Sequence, residues 1–263
     1  MREYSSVSKD NFVIHLKKQI AKIIHVKDSI KKNDNLIPWG LEHINYNDDA
    51  LQVIRILVTF NVEDIRRQPA ESSRFPFHLL RDYRITSLEH IHPQNLILDN
   101  IKLDTIRQWL EVKEDSLRNL KKYEHYSDDI AQLKDWMKDE ASYKEHEDNA
   151  REIIHKIDKQ FDDLANMKEE QMHTLYNMAL VDKDLNAALS NHLLDKKRSI
   201  LRAYHEGKKT YVLPATRKAF SKHYSPVNES NMLPKLWAEA DRKAYFSAIK
   251  TVYDDFNSYY SKD

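Results

Sequence analysis

Only two glycines, Gly40 and Gly207, occur in 263 residues, against the roughly 7% usual in globular chains. Glycine supplies the positive-φ positions of tight turns and lets backbone approach a phosphate closely. A chain nearly without it is steered toward helices, and Walker loops and dinucleotide fingerprints, which need several closely spaced glycines, are excluded. Hydrophobic residues make up 41% of the chain, enough for one substantial core or two modest ones.

Lys+Arg and Asp+Glu both number 42. No global basic field therefore marks the chain for nucleic acid, and any DNA binding must use local patches. There is no cysteine, which removes disulfides and thiolate zinc sites and leaves His, Asp, Glu and Asn as metal ligands. No run approaches the roughly 18 apolar residues that span a bilayer, and no leader pattern opens the sequence. The expectation is a cytoplasmic protein with no membrane partner.

Apolar residues at helical spacing predict helices through Phe12, Leu16, Ile20, Ile23 and Ile24 within residues 10–32, and through Leu51, Ile54, Leu57, Val58 and Phe60, the latter capped by Asp48 or Asp49. A loop is expected over 33–40, and another around Pro69 and Pro76. Between 103 and 167, stripes at Ile106, Trp109 and Leu110, at Ile130, Leu133 and Met137, and at Ile153, Ile157, Phe161 and Leu164 predict two or three antiparallel helices. Two strands are predicted, over 85–91 and 175–181. Further helices are expected over 185–202, from a Thr216 cap through Phe220 and Tyr224, and from about 236 to 259. Trp109, Trp136 and the C-terminal tyrosines follow helix faces and read as packing anchors.

Chemistry concentrates in Ser87-Leu88-Glu89-His90-Ile91-His92-Pro93-Gln94-Asn95. A carboxylate can hold a hard divalent cation and a neutral imidazole can take a proton from water. Neighbouring strand residues face opposite ways, so Glu89 and His90 can serve one site only where the strand bends or ends, and Pro93 makes such an ending. Asn177 lies in the second predicted strand and Asn186 opens the helix that follows, which yields a ββα unit presenting His90, Asn177 and Asn186. A competing idea is zinc on the His90-x-His92 pair, for which no further histidine falls at ligand spacing. His43, His78, His173, His192 and His223 read as ordinary histidines.

Glu89-His90-Ile91-His92-Pro93-Gln94 with Asn177 and Asn186 resembles the HNH, or ββα-metal, nucleases whose last ligand is asparagine. The resemblance implies that Glu89 and Asn186 hold a divalent metal ion, Mg2+ or Mn2+, that His90 is the general base and that Asn177 orients it. Many such sites carry another ligand four positions into the helix, where this chain has Ser190. The segments around Ser73-Arg74-Phe75-Pro76-Phe77, Leu185-Asn186-Ala187-Ala188 with Lys196, Lys197 and Arg198, Val212-Leu213-Pro214-Ala215-Thr216, and Trp237 to Tyr245 are similar to the C-terminal part of GmrSD-like restriction proteins.

The fold expected is mainly α, a helical scaffold with a small embedded ββα-metal unit and a long helical insertion between its two strands. An N-terminal helical region covers 1–84, the HNH unit 85–202 with its insertion at about 101–170, and a C-terminal helical region 203–263. The function implied is a metal-dependent endonuclease nicking or cleaving foreign or modified phage DNA, with Lys196, Lys197 and Arg198 on DNA phosphates. The partners implied are DNA, a separate NTP-hydrolysing sensor domain or subunit, and a second copy in a homodimer. The alternative is a helical interaction module of a defence complex, with the ββα unit only structural.

Overall fold

Helices form where apolar residues recur at helical spacing, and the fold is mainly α with two small antiparallel sheets. The computed structural model describes residues 8–32, 35–67, 74–81, 87–99, 101–207, 210–225 and 234–260. Helix α1 (Lys9–Ile24) starts at Ser8, whose hydroxyl accepts from the Asn11 amide at 3.3 Å. Strands β1 (Ser29–Lys32) and β2 (Asn35–Pro38) follow, paired Ser29 to Pro38 and Lys32 to Asn35. The expected helix thus forms but stops at Ile24, and residues 29–32 and 35–38 pair as strands, while 33 and 34 of the expected loop lie outside the described residues. These strands are four residues each and rich in polar groups, too short to show an alternating pattern.

Helix α2 (Tyr46–Arg66) carries two caps. Asn45 accepts from the Asn47 amide, and Asp49 leaves helical geometry at φ −148° while its carboxylate accepts from the Gln52 amide at 2.9 Å. A short α3 (Phe77–Arg81) precedes β3 (Ser87–His90). Residues 85 and 86 of the strand expected there, and 68–73 of the loop expected before it, lie outside the described residues.

Between β3 and its partner β4 (Met178–Val181) stand α4 (Leu103–Asn119), α5 (Ser127–Trp136), α6 (Glu140–Glu145), α7 (Glu147–Ala165) and α8 (Glu169–Met172). The additional helix α6 is a short element begun by Asp139, whose carboxylate caps the Ser142 amide at 2.8 Å. Ile106, Trp109, Leu110, Leu117, Ile130, Leu133, Ile154, Ile157 and Phe161 of this insertion gather into a core that Leu193 and Leu236 complete from outside it. Lys113 also lies on the buried stripe of α4, paired with Asp158 at 2.7 Å, and Asp158 accepts from the Trp109 indole at 3.2 Å and the Leu96 amide at 2.9 Å.

The second core joins α2, β4 and the C-terminal helices, with Val53, Leu57, Phe60, Leu180, Phe220 and Tyr245 among its members. The helix expected over 185–202 is two, α9 (Lys183–Leu189) and α10 (Leu194–Glu206), separated at Ser190, which has φ 43°. Helix α11 (Pro214–Phe220) begins with proline in its first turn. Thr216 sits inside it and donates to the Leu180 carbonyl at 2.6 Å, so it ties α11 to β4 rather than capping a helix. Helix α12 (Glu239–Tyr260) closes the described chain and holds α1 through Lys17 to the Tyr259 hydroxyl at 3.1 Å. Among the described residues no helix is long and apolar enough to cross a membrane.

Candidate functional site

Strands β3 and β4 pair antiparallel, with Ser87 opposite Val181, Glu89 opposite Ala179 and His90 opposite Met178. Side chains alternate along a strand, so Ser87 and Glu89 share one face and His90 takes the other. Helix α9, opened by the Asp182 carboxylate on the Asp184 amide at 2.9 Å, covers the first face: Asn186 Nδ2 donates to the Ser87 hydroxyl at 2.8 Å. Among the described residues, Asn186 Oδ1 is buried with no hydrogen-bond partner.

Glu89 meets Lys197 from α10. The ammonium lies 2.5 Å from Oε1 and donates also to the His90 carbonyl at 2.5 Å. Lys197 is 0% and Glu89 7% exposed. Burial pushes the Glu89 carboxyl up and the Lys197 ammonium down, each opposed by the attraction of the other. The expected role of Lys197 on a DNA phosphate is therefore corrected, because its charge is spent inside the protein. Arg198 is corrected likewise, since its guanidinium donates to the carbonyls of Phe220 at 2.8 Å and Pro234 at 3.3 Å. Lys196 alone of the three is exposed.

His90 ends β3. Its Nε2 lies 2.9 Å from His173 Nδ1, with the two rings edge to face at 5.0 Å, and Tyr46 stands edge-on at 6.0 Å. The two flanking residues are joined to each other by the Tyr46 amide, which donates to the His173 carbonyl at 2.7 Å. Burial first, then the neighbouring His173, Lys197 and His92, lowers His90 to about 3, so the ring is neutral at pH 7. His173 is also lowered by burial, and it lines a cavity of about 510 Å³ with Gln94, Asn95, Asp162 and Glu169.

Asn177 does not touch the His90 ring. It lies in the turn just before β4, and its amide spans the segment after His90: Oδ1 accepts from the His92 amide at 2.7 Å, while Nδ2 donates to the carbonyls of His92 and Met172 at 3.0 Å each. The Ile91 amide donates to the Asn177 carbonyl at 2.8 Å. The expectation that Asn177 orients the base directly becomes a finding that it fixes the backbone carrying the base.

His92 is turned away from His90 into the insertion. It is 1% exposed and bonded to Asp162 at 2.9 Å, and Asp162 accepts from Asn95 at 2.8 Å. That removes the ring from a shared strand face, and among the described residues no three His, Asp or Glu side chains gather as a metal group. Burial lowers His92 against the pull of Asp162, whose own carboxyl is held below the usual range by His92 and Asn95 in spite of burial.

Sequence reasoning missed His173, read as ordinary, and the burial of Lys197. The second had a signal: Leu194, Lys197 and Leu201 fall on one face of α10, so the lysine occupies an apolar stripe. No family model matches this chain, and no curated protein or solved structure is significantly similar to it.

Proposed function

We propose that this protein is a metal-dependent endonuclease of the HNH type that nicks or cleaves DNA, acting on foreign or modified DNA in a restriction or defence setting. One observation carries the reading. Residues 99 apart in sequence meet in one β3-β4-α9 unit, and there Asn186 presents a buried, unpartnered carbonyl oxygen on the same face as the Glu89 carboxylate.

Those donors fit a hard divalent cation in kind, since Mg2+ and Mn2+ favour oxygen and keep several waters. Glu89 and Asn186 would hold it, with the cation competing against Lys197 for the carboxylate. When bound, the ion offsets charge at the scissile phosphate. His90 would do the proton chemistry. Set on the other face from Glu89, it ends β3, so its ring would have to act round the strand terminus. There, neutral at pH 7, it takes a proton from the attacking water as the P–O bond to the leaving oxygen breaks. Lys196 contributes a phosphate contact by charge alone. A sensor subunit and a second copy of the chain are the partners of this reading, the latter for breaks in both strands.

A second reading, a helical interaction module, is favoured by the Glu89–Lys197 pair, which gives both charges a structural role. The two are separated by plasmid nicking with Mg2+, Mn2+ and other divalent ions on plain and modified DNA. The nuclease reading expects ion-dependent nicking that His90→Ala abolishes while the variant keeps its helical circular dichroism. Equal inertness of both proteins on every substrate and ion would transfer support to the interaction module.

A further inference from the structure

Every polar contact of the His90 ring that the structure defines runs through one residue outside the motif, 83 positions away. That residue, His173, is not a stray surface group. Its carbonyl is bonded to the Tyr46 amide at 2.7 Å, and the adjacent Thr174 forms an isolated antiparallel bridge with Asn45. The turn behind it is anchored as well: the Asn177 amide donates to the Met172 carbonyl at 3.0 Å, and Arg242 reaches Gln171 at 3.3 Å and the Ala165 carbonyl at 3.1 Å. The backbone that carries His173 is thus held on both sides, and Tyr46 also stands edge-on to His90 at 6.0 Å.

A neutral histidine carries its hydrogen on one ring nitrogen, and the partner of that nitrogen decides which one. We infer that His173 is a positioning residue for His90: its Nδ1 accepts the hydrogen on His90 Nε2 at 2.9 Å and so keeps the His90 lone pair on Nδ1. The opposite assignment, with His173 donating, would place His90's hydrogen on Nδ1 and leave neither ring nitrogen able to take a proton from water. The inference rests on the nuclease reading for its catalytic meaning, but the tautomer is a property of the folded protein alone. His173, though not His90 itself, lines the cavity of about 510 Å³, so the positioning ring stands at the edge of a space where a substrate strand or water can lie.

The test joins two measurements on the full chain. Long-range nitrogen–proton spectra of 15N-histidine-labelled protein report the His90 tautomer, assigned by its loss in His90→Ala. Plasmid nicking with Mn2+ reports kcat and KM. His173→Phe keeps the ring's bulk and removes the acceptor, whereas His173→Asn puts an amide oxygen close to where Nδ1 stood. Wild type is expected to show His90 with its hydrogen on Nε2, and His173→Phe to show a mixture of tautomers. In His173→Phe kcat should fall about ten- to a hundredfold, as for lost orienting partners elsewhere. KM should stay within about twofold, and His173→Asn should recover most of the loss. A His90 hydrogen found on Nδ1 in wild type, or a tautomer and kcat unmoved by His173→Phe, overturns the inference. A wild-type protein inert on all DNA defeats the nuclease reading instead, and the spectra then decide the role of His173 by themselves.

Discussion

The Lys197 ammonium and the Glu89 carboxylate meet at 2.5 Å with the lysine wholly out of solvent. A buried pair of this kind contributes little over apolar packing, yet removing one member leaves a charge with no partner and costs about 3–5 kcal/mol. Lys197→Met and Glu89→Leu should each be strongly destabilised, and the double variant should be more stable than either. Urea midpoints for the cycle check this, and simple addition of the two losses would contradict it.

Asn177 holds three backbone groups, the His92 amide and the carbonyls of His92 and Met172. Asn177→Ala should lose about 2–3 kcal/mol, since buried donors and acceptors would be left unmet. Asn177→Asp should do at least as badly, because a carboxylate would face two carbonyl oxygens. Guanidinium unfolding of the three proteins settles the order.

Burial lowers both His92 and His173 below 6.5. The unfolded chain then binds protons more readily than the folded one, so stability rises with pH through this range. The contribution is complete above pH 6.5 and is lost as pH falls below it, at up to about 1.4 kcal/mol per pH unit for each ring. Melting temperatures between pH 7.5 and 5 should decline, and the decline should be shallower in His92→Gln, which cannot take up a proton. An identical slope in that variant would remove His92 from the account.

Ser190 ends α9 with φ 43° and ψ −156°, an extended positive-φ region that costs a non-glycine residue about 1–3 kcal/mol. Ser190→Gly should relieve part of it, raising Tm by about 2–4 °C per kcal/mol recovered. A lower Tm would mean that the serine side chain contributes more than its backbone costs.

Lys196 is exposed, whereas Lys197 and Arg198 are engaged inside the protein. Under the nuclease reading, Lys196→Ala should weaken DNA binding evenly across sequences and reduce the slope of log affinity against log salt by about 1. Fluorescence anisotropy from 50 to 200 mM salt measures it, and an unchanged slope would take the residue off the phosphate path.

What was legible in the sequence follows from period. Ile106, Trp109 and Leu110, or Ile153, Ile157 and Phe161, repeat with the helical turn, and each lies in the insertion's core. Strands β3 and β4 were found, with β3 ending at His90 and not 91 and β4 beginning at Met178 and not 175, because apolar runs do not reveal where pairing stops. Spacing placed the histidine, the carboxylate and two asparagines in one expected ββα unit. It did not reveal their contacts: Asn177 bonds backbone rather than ring, and Glu89 faces a lysine. His173 was invisible for a related reason, since its meeting with His90 spans 83 residues and leaves no local trace.

The helical insertion between β3 and β4 also sets a timetable. His173 lies 83 positions after His90, so it is synthesised about 4–17 s later at roughly 5–20 residues per second. Throughout that interval a nascent chain holds half of a pair, and Leu193 and Leu236, which complete the core around the insertion, are later still. The contact between the two rings is therefore made late, by closure of a long loop, and a growing polypeptide carries His90 without its partner.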